Sequence, residues 1–343
     1  MSKTKGGAWA LRHADGLWPN ALALGAMLAG WIGGVLLMAL GPAWAWPLGV
    51  LLTAEGLVLA AYYLHEFAHH AIFATNVANE RLGLAMTWIT GSCYARFGEL
   101  RFKHMRHHID RADVVTFEYK AFLARSPRWV GRMFEALEWA YVPAVELLMH
   151  GYVMLLPFLA EDRRPSRGRV LGVLAVRVAA FALLGWWSLP ALLGYAVAYC
   201  LMLHVLRFVD AYQHTYDAVP LLAGGVPHDP KRDRAYEQRN TYSNVVSAGH
   251  PLLNLLLLNF PYHNAHHERP VEPWYRLPAL HARLYPQGNP QVIPMRELIG
   301  AHHRYRVVRL RSDDYGDVVE TPDGRLDASG FYGAVGVSFL TAV

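Results

Sequence analysis

Cysteine is scarce in this sequence: among 343 residues only two occur, Cys93 and Cys200. Both lie in apolar stretches, which favours two buried thiols over a disulfide. Two cysteines are too few for a four-cysteine iron or zinc site, so these residues contain no rubredoxin-like electron carrier. A His-Pro-Gly-Gly haem motif and a glycine-rich dinucleotide fingerprint are absent too. The sequence also lacks internal repeats and low-complexity tracts, so we expect one integrated unit.

Charged residues are scarce as well, at 17% of the chain, whereas 54% of the residues are hydrophobic. This composition is too apolar for an ordinary soluble domain and too polar for a protein that lies wholly in lipid. The formal net charge of +5 does not indicate a nucleic-acid partner, because the basic residues gather in particular loops. A membrane protein with a substantial aqueous portion fits these numbers.

Four apolar segments are long enough to cross a bilayer, which takes about 20 mostly apolar residues. They form two hairpins, whose short connections "GPAWAWP" and "GWWSLP" lack charge and carry tryptophan, as a membrane interface does. We therefore predict four transmembrane helices, at residues 20–40, 46–64, 170–187 and 189–209.

The loops at the other ends of the hairpins predict the orientation. "RFKHMRHHIDR" and "EDRRPSRGR" are rich in lysine and arginine, which are enriched on the cytoplasmic side of membrane proteins. We therefore expect a protein of the cytoplasmic membrane, with residues 65–169 and the residues after 210 on the cytoplasmic side. Two further apolar stretches, 82–95 and 137–160, are expected to lie in the interface or to dip into the membrane and return.

The last part of the sequence differs in character from the rest. We divide the chain into a membrane domain at 1–289 and a small soluble extension at 290–343. In the extension, "RVVRLR", then "TPDGR" as a turn, then "GFYGAVGVSF" predict a small β hairpin. The extension carries no chemical signal.

Histidines carry the functional signal, because half of the 18 follow a pattern. Two are four residues apart at the end of the second predicted span, and one follows the fourth span. The stretches "KHMRHH" and "YHNAHH" each contain a His-x-x-His-His triplet. Spacings of three and four place side chains on one helical face, where imidazoles can converge on a point. The patterned residues are His65, His69, His104, His107, His108, His214, His263, His266 and His267.

Such a set indicates a metal site with more than one ion. His65, Glu66 and His69 also match the His-Glu-x-x-His pattern of zinc peptidases. A catalytic zinc uses three protein ligands, so this alternative leaves most of the histidines without a role. Two ions with four or five nitrogen ligands each use the whole set, and imidazole suits iron with open positions for oxygen. A histidine-rich metal transporter is a further alternative, although polar residues within the spans are few.

From about residue 20 to 285 the sequence resembles the membrane fatty acid desaturase and hydroxylase superfamily, the histidine-box proteins. The resemblance rests on the two hairpins and on the three boxes in their order. It also rests on the stretch "HNAHHERPVEPWYRLPALH", which starts at the last box and continues beyond it. Desaturases take a further ligand from an Asn-x3-His motif near the last span, and Asp210-x3-His214 stands at that place here. The resemblance implies that the nine patterned histidines bind the metals and that Glu66, His70 and Asp210 support them.

The resemblance implies an all-α integral membrane enzyme: four transmembrane helices in two hairpins, with a cytoplasmic helical cap that holds a diiron site. The implied reaction is the O2-dependent desaturation of a fatty acyl chain, with two Fe ions as cofactor and no catalytic side chain beyond the metal ligands. Electrons would come from an external donor, such as a ferredoxin or rubredoxin with its reductase. A hydroxylase or ketolase of alkyl or carotenoid substrates shares the fold and stays open, as does the zinc peptidase.

Overall fold

The computed structural model describes residues 7, 9–224 and 229–343, which are mainly helical and include one two-stranded sheet. Short 3-10 helices cover Ala14–Gly16, Ala43–Ala45, Ser92–Tyr94, Glu161–Ser166, Pro251–Leu257 and Trp274–Arg276. The α-helices and strands are α1 (Leu17–Leu40), α2 (Trp46–Ala68), α3 (Asn76–Thr90), α4 (Phe97–Asp110), α5 (Tyr119–Arg125), α6 (Arg128–Trp139), α7 (Ala144–Leu159), α8 (Arg167–Trp187), α9 (Leu189–Asp210), α10 (Arg234–Arg239), α11 (His263–Glu268), α12 (Leu277–Leu284), α13 (Met295–Arg304), α14 (Val308–Arg311), β1 (Gly316–Glu320) and β2 (Leu326–Phe331).

Within the described residues, four helical segments are long and apolar enough to cross a membrane. Each of the four predicted spans lies inside one of them, so the predicted fold class is confirmed. Many large apolar side chains on these helices face outward, as a lipid environment requires. The four segments are Ala14–Leu40, Ala43–Ala68, Glu161–Trp187 and Leu189–Asp210.

Local sequence explains where the membrane helices begin and end. α1 ends at Leu40 because Gly41 and Pro42, which follow it, have extended backbones, and a proline there cannot continue the helix. α9 begins directly after Ser188, whose hydroxyl accepts a hydrogen bond from the N–H of Ala191. Both connections are therefore tight, and each pair of helices forms a hairpin.

The helices of the first hairpin, α1 and α2, pack with their backbones in close contact. A Cβ atom at Gly34 of α1 would lie 2.6 Å from the carbonyl oxygen of Gly49 in α2. A Cβ atom at Gly56 of α2 would lie 2.5 Å from the backbone nitrogen of Trp31 in α1. Small residues permit this approach, which gives the van der Waals contact on which helix association in lipid depends.

α3 runs beside α2 and reaches half-way along α8. The guanidinium of Arg177, at the middle of α8, donates a hydrogen bond of 2.9 Å to the carbonyl of Trp88 near the end of α3. Gly91 then turns the chain with a positive φ of 79°, against the hydroxyl of Tyr199. α3 thus packs against the membrane helices before the chain turns, and α7, with 16 residues, is too short to cross. The interfacial or re-entrant placement of 82–95 and 137–160 stays a prediction.

The C-terminal region differs in part from its prediction. "TPDGR" forms the predicted turn, and β1 pairs with β2 in antiparallel register around it. "RVVRLR" was expected to be a strand, but the structure has helix α14 there, because the hairpin begins only at Gly316. The stretch "GFYGAVGVSF" was expected to be the other strand, but only Gly330 and Phe331 of it belong to β2. After Phe331 the chain enters the core, where Leu340 and Ala342 are buried. The domain boundary at 289/290 stays a prediction, and residues 1–6, 8 and 225–228 of the first predicted domain lie outside the described residues.

Candidate metal centre

The nine patterned histidines form two adjacent groups. The end of α2, together with α4 and α11, supplies the first, in which one ring nitrogen of each residue lies within 4.8 Å of those of the others. Nε2 of His104 is 2.6 Å from Nε2 of His69 and 3.3 Å from Nε2 of His108. Nε2 of His108 is 3.2 Å from Nε2 of His266. We name this set histidine group A: His65, His69, His104, His108 and His266.

The second set meets the same distance criterion and is supplied by α4, α11 and the loop after α9. Nε2 of His214 is 3.1 Å from Nε2 of His107 and 2.9 Å from Nε2 of His263. We name this set histidine group B: His107, His214, His263 and His267. The two groups adjoin, since the rings of His108 and His267 have centroids 4.3 Å apart.

Each His-x-x-His-His triplet divides two to one between the groups. On α4, His104 and His108 belong to group A and His107 to group B; on α11, His263 and His267 belong to group B and His266 to group A. A helix turns about 100° per residue, so the two histidines of a triplet that are four residues apart project from the same side of the helix. The third histidine of the triplet, His107 or His266, projects toward the other group. α4 supplies two histidines to group A and one to group B, whereas α11 does the reverse, so the two helices together can line two neighbouring sites.

Burial favours the neutral form of seven of these imidazoles. Burial first, and then the neighbouring imidazoles, lower the pKa of His107 to about 3. A neutral imidazole has a lone pair on its ring and is the form that binds metal ions. The same causes, burial first, hold the pKa well below its usual value for His69, His104, His108, His214, His263 and His266.

The donor set fits metal ions. Both ring nitrogens of His65 and Nε2 of His267 are buried without a hydrogen-bond partner, an arrangement that needs an explanation such as a bound ion. Facing Nε2 atoms at 2.6–3.3 Å also repel one another unless a proton or a cation lies between their lone pairs. Each group presents several imidazoles and no thiolate, a set that suits iron, zinc or copper.

Glu237 supports His267. Its Oε1 atom lies 2.8 Å from Nδ1 of His267, so it accepts the proton there and leaves Nε2 to face group B. The guanidinium of Arg111 donates to the other carboxylate oxygen of Glu237 at 3.0 Å. Such carboxylate–histidine pairs fix the tautomer and the orientation of a metal-binding ring.

Two other group B histidines are oriented in the same way. Nδ1 of His107 donates to the carbonyl of Ala112 at 3.0 Å, with an oxygen of Asp113 at 3.6 Å. The hydroxyl of Thr241 lies 3.2 Å from Nδ1 of His214. Since that hydroxyl donates its own proton to a backbone carbonyl at 2.7 Å, it accepts from Nδ1. Both rings therefore present a lone pair on Nε2.

Sequence reasoning missed these supporting residues. Asp113 follows the second box by five residues, and a carboxylate so close to a histidine box was a usable signal. Glu237 and Thr241 lie in a stretch whose sequence shows no periodic pattern, 26 and 22 residues before the third box. Nothing local connects them to the histidines.

The three residues expected to support the ligands lie in different surroundings. Glu66 accepts a hydrogen bond of 2.9 Å from the backbone N–H of Trp274, and its other oxygen is 3.7 Å from Nδ1 of His65. Asp210 is half-buried, lines a small cavity together with His107 and His214 of group B, and belongs to neither histidine group. The ring of His70 is 3.8 Å from Glu80, outside both groups.

A small cavity of about 40 Å³ adjoins both groups, with room for about two water molecules. Lys103 and Asp113 border its polar side, where burial lowers the pKa of the lysine to about 7 and raises that of the aspartate to about 6. Its apolar side includes Phe260, Val337 and Phe339. The histidines thus meet an apolar surface on one side, which suits contact with a hydrocarbon.

Comparison with known proteins agrees with this geometry. The family model described as fatty acid desaturase matches residues 41–299, which include all nine patterned histidines. No curated protein matches the chain. The family and the four apolar helices together indicate an integral membrane oxidoreductase of the desaturase and hydroxylase type, whose substrate is a lipid. Since the match covers three quarters of its length, the chain belongs to the fatty acid desaturase family.

Proposed function

We propose that this protein is an O2-dependent diiron desaturase that introduces a double bond into a lipid acyl chain. The observation that carries the proposal is the division of nine histidines, seven of them buried and two half-buried, into groups of five and four. Two ions with four or five nitrogen ligands each account for every patterned histidine. The nine residues are the proposed iron ligands, and Glu66, Asp210 and His70 the proposed supporting residues.

The irons, when bound, supply the activation of O2 and the removal of hydrogen from an unactivated C–H bond. The protein's own residues hold the metal-binding histidines and orient their rings. Glu237 and Thr241 fix the tautomers of His267 and His214, as described above. Phe260, whose ring centroid is 4.7 Å from that of His65, keeps that side of the site dry for an alkyl chain.

Electrons come from a separate protein under this proposal, such as a ferredoxin or rubredoxin with its reductase. The sequence contains neither a four-cysteine cluster nor a glycine-rich dinucleotide fingerprint, which supports an external donor. The lysine- and arginine-rich loops lie at the histidine end of the membrane helices, which supports a cytoplasmic active site in the cytoplasmic membrane.

The peptidase alternative fits the geometry less well. A zinc peptidase needs the glutamate of His-Glu-x-x-His beside the metal-bound water, whereas Glu66 is bonded to the backbone of Trp274. His65 and His69 also face three further histidines rather than one. If Glu66→Gln abolished a proteolytic activity that His263→Ala spared, the peptidase would replace our proposal.

The test combines metal analysis with lipid analysis in cells that express the chain with a ferredoxin and its reductase. We expect about two irons per purified chain and acyl chains that are two hydrogens lighter, with both lost in His266→Ala. His250→Ala is the matched control, because His250 is exposed and belongs to neither group. Unchanged lipids in the wild type would refute the desaturase, and products with added oxygen would indicate the hydroxylase or ketolase instead.

A further inference from the structure

The segment Gly333–Val343 enters the protein interior after the β hairpin. The N–H of Ala334 donates to the carbonyl of Ala211, directly after α9, at 2.8 Å. From there the chain runs inward, and the side chains of Leu340 and Thr341 are almost wholly buried. The segment lies outside the residues 41–299 that the family model matches, so it is a feature of this chain rather than of the matched family region.

A buried lysine of α4 holds the segment in place. The ammonium of Lys103 donates to the carbonyls of Ser338 and Thr341 at 2.7 and 2.9 Å and lies 3.2 Å from the hydroxyl of Thr116. That hydroxyl in turn donates to the carbonyl of Thr341 at 2.7 Å. All three N–H donors of the lysine have acceptors, so its burial is compensated. Because Lys103 precedes His104, the helix that supplies group A also fixes the segment.

Phe339 therefore lies against the histidines. Its ring centroid is 5.8 Å from that of His65 and 6.1 Å from that of His104. With Val337 and Phe260 it forms the apolar side of the cavity that adjoins both groups. A hydrocarbon that approaches the histidines from the apolar side meets this ring.

From these contacts we infer that Phe339 is a specificity-determining residue, whose size limits which carbon of the lipid chain reaches the metal centre. The inference rests on the proposed function and deepens it. The cavity of about 40 Å³ is far smaller than the roughly 300–1,000 Å³ of typical ligand sites, so it admits a few atoms of a chain rather than its whole length. A smaller side chain at position 339 lets the lipid chain advance further toward the histidines.

The test compares the wild type with Phe339→Ala and with Val335→Ala in the same cells. Val335 is the matched control, because it belongs to the same segment but packs against Tyr119 and Met149, away from the histidines. Gas chromatography with mass spectrometry gives double-bond position and chain length, and elemental analysis gives iron per chain. We expect Phe339→Ala to shift the ratio of products by about tenfold, as a change of a methylene or more in an apolar pocket does. Iron per chain stays at the wild-type value.

The outcomes separate the two proposals. A wild type without desaturated product refutes the proposed function, and the inference with it. The inference alone is overturned if the wild type forms product and if the wild type, Phe339→Ala and Val335→Ala give the same product ratio at equal iron content. If Phe339→Ala is not recovered as folded protein, Phe339→Leu decides in the same way, since leucine keeps the site apolar while removing the ring.

Discussion

Glu237 and His267 are 30 residues apart in sequence, and yet Oε1 of Glu237 lies 2.8 Å from Nδ1 of His267. Arg111 holds the other oxygen of this carboxylate, so the pair is fixed from both sides. The contact joins α10 to α11, the helix that carries the third histidine box.

Replacement of Glu237 by glutamine tests this contact. An amide at position 237 no longer provides a negatively charged acceptor for the proton on Nδ1, so His267 becomes a weaker and less well oriented ligand. We expect Glu237→Gln to lower the affinity for metal by about 10- to 100-fold, measured by metal titration of the purified protein. Glu268→Gln is the control, because Glu268 also lies on α11 but its carboxylate pairs with Arg234 and not with a histidine. Equal affinities in both variants would show that Glu237 does not support the site.

Lys103→Met removes the ammonium that holds the segment Gly333–Val343. The carbonyl of Ser338 then loses the ammonium donor, which costs about 1–3 kcal/mol for a buried unsatisfied group, whereas the carbonyl of Thr341 keeps the hydroxyl of Thr116 as a donor. We expect a lower melting temperature and faster proteolytic cleavage within the segment, seen by mass spectrometry. Lys120→Met is the control, since Lys120 is partly exposed, donates to the carbonyl of Ser312 and pairs with the exposed Asp313. A segment as resistant to protease as in the wild type would contradict this role of Lys103.

Arg207 of α9 lies between two buried carboxylates. It is 2.5 Å from Glu138 of α6 and 3.4 Å from Glu146 of α7, and all three side chains are almost fully buried. Arg207→Met leaves both carboxylates without their cation, so we expect a loss of about 3–5 kcal/mol in the free energy of unfolding. Chemical denaturation in detergent measures this loss.

The matched control for Arg207→Met is Arg164→Met. Arg164 pairs with Glu161 on the surface, where the glutamate side chain is 91% exposed. Exposed pairs contribute about 0–1 kcal/mol, so this variant should unfold almost like the wild type. Similar losses in the two variants would mean that the buried network does not stabilise the fold as its burial suggests.

His302 makes stability depend on pH. Burial lowers its pKa to about 2, with smaller effects of Arg309, Arg207, His204 and His303. An unfolded histidine binds its proton near pH 6.5, so the unfolded chain takes up this proton first as the pH falls. The free energy of unfolding contributed by His302 is therefore complete above pH 6.5 and falls as the pH is lowered from about 6.5 toward 2.

His302→Gln should weaken this dependence. Glutamine keeps an acceptor for Arg309, whose guanidinium lies 2.7 Å from Nδ1 of His302, but it does not titrate. We expect the slope of the unfolding free energy against pH, below pH 6, to decrease by up to about 1.4 kcal/mol per pH unit, which is one proton. Melting curves between pH 5 and 8, with exposed His250→Gln as control, measure it. An unchanged slope would contradict the expected titration.

Local sequence predicted most of the membrane part and the histidine pattern. Each span follows from a run of apolar residues, and the two hairpin connections lie at Gly41 and at the capping Ser188. The two-to-one division of the triplets follows from helical geometry, because positions 104 and 108 share a side that position 107 does not. These features depend on neighbours within a few residues, which the sequence displays directly.

The extension at 290–343 gave no chemical signal in sequence, although the structure brings part of it to the histidines. "RVVRLR" also formed a helix where a strand was expected, because a short apolar run is compatible with both and packing decides between them.

The sequence by itself determined that four apolar helices would form and that nine histidines would stand at metal-binding spacings. Only the tertiary structure decided which residues meet them: Glu237 beside His267, Thr241 beside His214 and Phe339 beside His65. The physical reason is that helix formation and spacing depend on neighbours along the chain. Contacts between residues that are 27 to 274 positions apart in sequence depend on how the whole chain packs, and no local sequence pattern records that.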